Sequence, residues 1–303
     1  MLGPTAGRQS ATGTRKIQSR LRKMQVRLRL LQPEVSYAKE SEPVEPAVHP
    51  SVDHTKPHPA RVYDWLLGGE NNYPVDREVG EALPTETRGN AVRNRAFMRR
   101  AVDWLAKKGV DQFLDIGSGI PTEPNLHQIV QSIAPAARIV YADSDPSVLP
   151  HAQALLTSTP QGSSDFLHAD VRQPMDLLER ASAHLDFERP VALSLLALLH
   201  FLPDDEDPYG VVSTLVKALP PGSFLLLSHG TTDQHPEWQG KIEAAYEQAA
   251  IPLRLRTRHE VDPFFEGLEL VAPGLVYATE WYQEGPAPIP ERSGLHVGVA
   301  RIP

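Results

Sequence analysis

A buried strand that ends in an acid and turns through two glycines most limits what this chain can fold into. Residues 113–121 read FLDIGSGIP, so an apolar run closes at Asp115 and is followed by Gly117 and Gly119. Glycine lets the chain turn sharply and approach a ligand closely, because no Cβ intrudes. Ligands of open parallel sheets lie beyond the carboxyl ends of the strands. The segment therefore predicts a turn that holds a nucleoside-bearing ligand.

Strand and helix signals alternate after this turn. Strands are expected at 112–116, 138–142, 164–169, 191–198 and 224–229, with helices at about 123–134, 147–157, 174–184, 208–218 and 236–250. This rhythm predicts an α/β fold with a doubly wound, mostly parallel, Rossmann-like sheet. Two further strands at 268–281 and 295–302 lack a full helix between them, which predicts an antiparallel C-terminal edge and seven strands in all.

The chain before the sheet divides into a tail and a helical segment. Residues 1–50 are basic and contain several prolines, which predicts a disordered tail and linker. An apolar stripe over 17–31 has helical spacing and could bind a partner helix, lipid or nucleic acid, although an unstructured tail is favoured. Helices are expected at 60–67, 75–83 and 87–108. We therefore expect three parts, at 1–50, 51–108 and 109–303.

Composition excludes several classes of function. The chain has no cysteine, which excludes disulfides and cysteine-based metal sites and fits a cytoplasmic protein. Lys and Arg outnumber acids in residues 1–40, so the remainder is more acidic than the net charge of −8 suggests. An acidic body argues against nucleic acid as the main substrate. No stretch approaches the roughly 18 apolar residues of a membrane span, so none is expected. The sequence carries no signal for an oligomeric state.

Acidic residues also close the second and third predicted strands. Asp143 can accept hydrogen bonds from both hydroxyls of a ribose, which an asparagine amide cannot do in the same way. Asp170 can accept from an adenine amine while Val171 packs on the ring. Asp145 is interpreted differently, as a cap for the helix whose first turn holds Pro146.

The residues of the glycine turn distinguish two classes of cofactor. A dinucleotide site normally has a third glycine, which allows close helix packing below a pyrophosphate. Here Thr122 stands at that position after Pro121, and the loop has no basic residue. With Asp115 beside the turn, this favours a cofactor without phosphate and with a cationic amino-acid end, such as S-adenosylmethionine. A nucleotide-dependent oxidoreductase is the less favoured alternative.

Candidates for catalysis and metal binding follow the fourth and fifth strands. His200 is a candidate general base and His229 a second one, although histidines at strand ends are more often structural. The acidic run 204–207 could bind a divalent metal. A solvated loop in which Asp207 caps the next helix is the favoured interpretation, so no metal site is predicted.

Several segments together resemble class I S-adenosylmethionine-dependent methyltransferases, and more narrowly the actinobacterial S-adenosyl methyltransferase family. They are PHPARVYDWLLGGENNY (57–73), VRNRAFMRRAV (92–102), GVDQFLDIGSGIPT (109–122), VYADSDPSVLPHA (140–152), ADVRQP (169–174) and LHVGVARIP (295–303). The resemblance spans about residues 55–303. It implies methyl transfer from S-adenosylmethionine. A small molecule is the default acceptor, because the acidic body disfavours nucleic acid and no N-P-P-Y-type motif for base amines stands at the end of the fourth strand. A cofactor-binding module without catalysis stays open as an alternative.

The resemblance also implies roles for individual residues. The expected cofactor contacts are Asp115, Gly117, Ser118, Gly119, Asp143, Ser144, Asp170 and Val171. The helical segment at 51–108 would form a lid over the cofactor. Its expected lid and substrate residues are Arg61, Tyr63, Asn72, Tyr73, Arg93 and Arg95.

Overall fold

A computed structural model describes Ser19 and residues 53–155, 157–282 and 293–303. The predicted stripe over 17–31 therefore lies outside the described residues, Ser19 apart. The helices are α1 (Pro59–Leu66), α2 (Pro74–Ala82), α3 (Glu86–Lys107), α4 (Leu126–Ile133), α5 (Val148–Leu155), α6 (Pro174–Ala181), α7 (Pro208–Ala218), α8 (Gln239–Gln248) and α9 (Arg258–Val261). Short 3₁₀ turns lie at Leu199–Phe201, Asp204–Glu206, Pro236–Trp238 and Asp262–Phe265. Among the described helices, none combines the length and the apolar character that a bilayer crossing requires.

The strands of the described residues form one eight-stranded sheet in the order β3-β2-β1-β4-β5-β8-β6, with β7 also beside β8. They are β1 (Gln112–Ile116), β2 (Arg138–Asp143), β3 (Ser163–His168), β4 (Ala192–Leu196), β5 (Phe224–Gly230), β6 (Glu269–Leu270), β7 (Val276–Tyr277) and β8 (Leu295–Arg301). Strands β1 to β5 are parallel, and β8 runs antiparallel to β5, β6 and β7. The predicted α/β class with an antiparallel edge is confirmed.

The sheet gains its eighth strand where a single long strand was predicted over 268–281. That segment forms two strands of two residues each, β6 and β7. Pro273 and Gly274 lie between them, and Gly274 has a φ of +94°. Proline offers no N–H to a ladder and a positive φ leaves the extended region, so the strand is interrupted there.

Helices cover both faces of the sheet. Phe113 of β1 packs with Phe97 and Leu105 of α3, whereas its neighbour Leu114 packs with Leu177 of α6 and Leu215 of α7. Because successive side chains of a strand point to opposite faces, a strand buried on both sides is apolar throughout. This explains the continuous apolar runs of the sequence.

The N-terminal helices form a separate cluster with α8. Val62 and Leu66 of α1 and Val79 of α2 share this cluster with Tyr246 of α8 and with Ile251. The first two helices thus pack mainly on each other and on a late helix. This arrangement places the start of α1 beside the turn that follows β1, in the middle of the sheet.

Candidate cofactor and acceptor site

A cavity of about 320 Å³ lies beyond the carboxyl ends of β1 to β4 and beneath the N-terminal helices. Its volume is at the lower end of the roughly 300–1,000 Å³ of ligand sites. The strand order reverses between β1 and β4, which is where open parallel sheets bind ligands. All eight predicted cofactor residues line it, namely Asp115, Gly117, Ser118, Gly119, Asp143, Ser144, Asp170 and Val171.

The glycine turn after β1 is tied to β2. Gly117 and Gly119 have φ values of +72° and +63°, which favour glycine. A Cβ on Gly117 would also lie 2.7 Å from Leu198 Cδ1. The N–H groups of Gly117 and Ser118 donate to the Ala142 carbonyl at 2.8 and 3.2 Å. These two amides are thus hydrogen-bonded inside the protein.

Asp143 connects this turn to the chain that follows β2. One of its oxygens accepts from Gly119 N at 2.8 Å and the other from Asp145 N at 2.9 Å. Burial raises the pKa of Asp143, and these two backbone hydrogen bonds act in the opposite direction. A carboxylate oxygen has capacity for a second hydrogen bond, so both oxygens can still accept from ribose hydroxyls.

Asp145 holds the next turn and contacts the N-terminal segment. Its Oδ1 accepts from Ser147 N at 2.9 Å, and its Oδ2 lies 3.0 Å from His58 Nδ1. Burial opposes ionisation, but His58 and Ser147 lower the pKa of Asp145 to about 2. Helix α5 begins only at Val148. Asp145 is thus buried in the turn before this helix, rather than at the helix start that Pro146 indicated.

Asp115 and Arg95 form the charged end of the cavity. Burial raises the pKa of Asp115 to about 6, while Ser194 and Arg95 oppose that shift. Nη2 of Arg95 donates to the carbonyls of Thr122 and Pro124. Burial lowers the pKa of Arg95, yet a guanidinium stays protonated in proteins. A half-buried acid and a half-buried cation therefore both line the cavity beside the glycine turn.

The third strand end carries an arginine that the residue-by-residue prediction missed. Asp170 Oδ1 accepts from Arg172 N at 2.9 Å, and Arg172 Nε donates to Glu206 Oε2 at 2.7 Å. Arg172 also lines the cavity, so it links the β3 end to the loop after β4. Its signal was its place in the segment ADVRQP.

A hydrogen-bond chain, here called the wall network, includes the cavity residues Tyr63 and Asn94. Ser228 Oγ donates to Asn94 Oδ1 at 2.7 Å, Asn94 Nδ2 donates to Tyr63 Oη at 2.9 Å, and Tyr63 donates to the Ala91 carbonyl at 3.2 Å. The Ser228 hydroxyl accepts from Ala197 N at 2.8 Å. Burial raises the pKa of Tyr63, which therefore stays neutral. Tyr63 and Arg95 are the two predicted lid residues on the cavity.

The other predicted lid residues lie outside the cavity lining; they are Arg61, Asn72, Tyr73 and Arg93. Arg61 is buried with its Nε 3.3 Å from Asp76 Oδ2, an oxygen that also accepts from Tyr73 N at 2.9 Å. Asn72 Nδ2 donates to Asp64 Oδ2 at 2.8 Å. The side chains of Arg61 and Asn72 and the backbone of Tyr73 thus hold α1 and α2 together. The cavity is lined instead by residues 57–60, just before and at the start of α1.

His200 also lies outside the cavity lining, so its prediction as a general base needs correction. It belongs to a 3₁₀ turn that directs the ring inward, where its Nδ1 accepts from Gly230 N at 3.3 Å. Burial, aided by Arg256, lowers the pKa of His200 to about 3. His229 is fully buried, and its Nε2 lies 3.1 Å from Arg256 Nη1. Both histidines fit the structural interpretation.

Acidic residues of the run after β4 form ion pairs with arginines. Asp204 pairs with Arg254 and Arg256, and Glu206 pairs with Arg172. Asp207 caps α7 by accepting from Gly210 N at 3.0 Å, as predicted. Within the described ranges, His, Asp and Glu form no group that could hold a metal ion.

The sheet order and the cavity at its switch point are those of a Rossmann-like α/β fold. The S-adenosyl methyltransferase family matches residues 45–303, and the chain belongs to that family.

Two solved structures are similar over nearly the whole described chain. A DUF574 family protein from Streptomyces avermitilis is 43% identical with a TM-score of 0.80, and the match covers 84% of this chain and all of that one. A putative methyltransferase from Thermobifida fusca is 36% identical with a TM-score of 0.76, over 85% of this chain and 99% of that one. A comparison with curated proteins yields no match.

Proposed function

We propose that this chain is an enzyme that transfers a methyl group from S-adenosylmethionine to a small-molecule acceptor. One observation carries the proposal. Asp115, Asp143 and Asp170 lie at or just after the carboxyl ends of three neighbouring parallel strands and line, with the glycine turn, one cavity at the switch point. Acids placed at these intervals match an ammonium, a ribose and an adenine amine in turn.

The residues of the cavity fit this cofactor better than a dinucleotide. Asp115 offers an anionic partner for an ammonium, and two strand-end acids remain for the nucleoside. The pyrophosphate of a dinucleotide is held mainly by free backbone amides of the turn. The Gly117 and Ser118 amides already donate to Ala142, and Gly119 N donates to Asp143. The paired amides of the turn therefore favour a ligand without phosphates.

The chain would contribute alignment and exclusion of water rather than proton transfer. When bound, S-adenosylmethionine supplies an electrophilic sulfonium methyl. Tyr63 and Asn94 use their polar groups in the hydrogen bonds of the wall network, and His200 does not line the cavity. The wall also presents the apolar residues Leu198, Phe201 and Ile251. These features suit a small acceptor of low polarity whose nucleophilic atom needs no base from the protein.

A cofactor-binding module without catalysis is the second candidate. The polar groups of the wall network form hydrogen bonds with one another. This pairing favours the second candidate, because a wall closed in this way would exclude any acceptor from the cavity. The two candidates differ in whether space for an acceptor remains beside the methyl group.

Calorimetric titration with S-adenosylmethionine and with NAD tests the proposal. We expect S-adenosylmethionine to bind and NAD to bind at least about tenfold more weakly, a difference of 1.4 kcal/mol. Thr122→Gly serves as a control, because it restores the third glycine of a dinucleotide turn. Tight NAD binding by the wild type without S-adenosylmethionine binding would refute the proposal.

A further inference from the structure

His58 lies where the N-terminal helices meet the cofactor side of the cavity. It is the N-cap of α1, and it lines the cavity together with Pro57, Pro59 and Ala60. Its backbone N–H donates at 2.9 Å to Oδ1 of Asp76, a fully buried residue of α2. The main chain at His58 is therefore fixed to the N-terminal helices, whereas its side chain contacts the turn after β2.

The side chain of His58 lies between two groups that need opposite forms of one ring nitrogen. Nδ1 accepts from the N–H of Ala60 at 3.3 Å, and it lies 3.0 Å from Oδ2 of Asp145. A ring nitrogen carries either a lone pair or a proton, so it cannot accept from Ala60 and donate to Asp145 at the same time. Only one of these two hydrogen bonds can therefore form in any one tautomer.

The hydrogen bond to Asp145 is the one whose absence costs more. The Asp145 side chain is 3% exposed, and its Oδ2 forms no hydrogen bond of regular geometry in the described structure. An unpaired buried group is destabilising, and more so when it is charged. The N–H of Ala60 belongs to the first turn of a helix, where water can also satisfy it. Donation from His58 Nδ1–H to Asp145 is therefore the favoured arrangement.

Asp145 connects His58 to the acid that is expected to hold the ribose. The backbone N–H of Asp145 donates to Oδ1 of Asp143 at 2.9 Å, and Gly119 N donates to Oδ2 of Asp143 at 2.8 Å. Ala60 lies beside the glycine turn, because a Cβ on Gly119 would be 4.0 Å from the Ala60 Cβ. His58 and Ala60 therefore reach both of the turns that orient Asp143.

We propose that His58, by donating to Asp145, fastens residues 57–60 to the turn after β2 and so positions Asp143 for the ribose of the cofactor. This inference rests on the proposed function, since it concerns the binding of the same cofactor. It makes His58 a positioning residue, which differs from a role limited to capping α1.

Three substitutions of His58 separate these two roles. Asparagine, serine and aspartate all cap helices well, so each variant keeps the start of α1. The amide of His58→Asn places a donor as many bonds from Cα as Nδ1, whereas the hydroxyl of His58→Ser is one bond closer to the backbone. The carboxylate of His58→Asp has the same reach as the amide, but it only accepts hydrogen bonds and repels Asp145.

Calorimetry with S-adenosylhomocysteine measures the cofactor affinity of each variant. We expect His58→Asn to bind within about threefold of wild type, His58→Ser to bind about fivefold more weakly, and His58→Asp about tenfold or more weakly. His259→Asp makes the same change at an exposed position outside the cavity lining, and it should leave the affinity unchanged.

A paired substitution tests whether His58 acts through Asp145. When His58→Asp is combined with Asp145→Asn, the donor and the acceptor change places, and the new amide oxygen can still accept from Ser147 N. We expect this pair to bind within about threefold of wild type, which is the coupling of two residues in contact. Circular dichroism and urea denaturation check that each variant is folded. If His58→Asp does not fold, His58→Ser decides the matter.

Several outcomes overturn the inference. Equal affinities in wild type and all three single variants would mean that His58 only caps α1. A loss in His58→Asn as large as that in His58→Asp would show that the imidazole contacts the ligand itself. A folded paired variant without recovery would exclude action through Asp145. A wild type that binds neither S-adenosylmethionine nor S-adenosylhomocysteine would refute the proposed function itself, and the inference with it.

Discussion

The two sides of the cavity differ in whether their polar groups are paired by hydrogen bonds within the protein. On the cofactor side, burial raises the pKa of Asp115 to about 6, and the buried Nε of Arg95 has no hydrogen-bond partner among the described residues. On the wall side, Asn94 and Ser228 form hydrogen bonds with each other and their neighbours. Unpaired buried groups destabilise a fold and persist where a ligand completes them. Paired groups stabilise a shape.

This contrast indicates which half of the site recognises a polar ligand and which half holds geometry. Ala197, whose amide joins the wall network, has a φ of +53°, an uncommon conformation for a residue other than glycine. Backbone in this region persists where surrounding contacts hold it. We therefore expect substitutions on the cofactor side to change ligand affinity most, and substitutions in the wall network to change stability most.

The largest expected effect is that of Asp143→Ala on cofactor affinity. Losing two charge-assisted hydrogen bonds to a ribose should weaken S-adenosylhomocysteine binding about a hundredfold, or roughly 3 kcal/mol. Calorimetry measures this, with Asp165→Ala on the half-exposed β3 as the control. Equal affinity in Asp143→Ala and wild type would show that the ribose lies elsewhere.

Ser228→Ala probes the wall network. The substitution leaves Asn94 Oδ1 and the Ala197 amide without their buried partner, which should lower the free energy of unfolding by about 1–3 kcal/mol. Urea denaturation measures the loss, and exposed Ser132→Ala is the control. We expect S-adenosylhomocysteine affinity to change less than about threefold. A stable variant that no longer binds the cofactor would reverse the assignment of the two sides.

Asp145→Ala distinguishes the role of Asp145 from that of the neighbouring Asp143. The folded pKa of Asp145, about 2, lies below its usual value of 3.8, so the carboxylate stabilises the fold above about pH 4. That stabilisation, about 2 kcal/mol, should disappear as the pH falls from about 4 to 2. Denaturant midpoints at several pH values should show this loss in wild type and not in Asp145→Ala. Identical pH profiles for the two proteins would contradict it.

The smallest expected effect concerns His200. Its folded pKa of about 3 lies below the usual 6.5, so folding favours the neutral ring. Stability is therefore fully present above pH 6.5 and falls as the unfolded state gains a proton below it. Between pH 7.5 and 5.5, wild type should lose about 1 kcal/mol more than His200→Gln. Denaturation at both pH values measures this, and equal losses would place a charged His200 in the folded protein.

The helices, the strands and the residues on the cofactor side of the cavity were predictable because their sequence signals are local. The strand at 113–116 and its glycines lie within one short segment, and the strand-end acids follow from the alternation of strands and helices. The signal for the interruption of the predicted strand at 268–281 was also local, since it lies in Pro273 and Gly274. The wall network was not predictable, because Asn94 and Ser228 lie 134 residues apart.

The direction of individual side chains was also not predictable from the sequence. Arg61 stands next to residues of the cavity, yet it pairs with the buried Asp76. His200 follows a strand that ends at the cavity, yet one 3₁₀ turn directs it into the core. A position in a motif gives the neighbourhood of a residue, whereas packing decides whether its side chain faces the ligand or the interior.

A crystal structure of the complex with S-adenosylhomocysteine tests the central claim most directly. The account predicts the amino-acid end beside Asp115 and the glycine turn, the ribose on Asp143, and the adenine beside Asp170 and Val171. The sulfur should then face the wall network, with any acceptor space bounded by Phe201 and Ile251. A nucleoside bound in the reverse direction, or outside this cavity, would contradict the account.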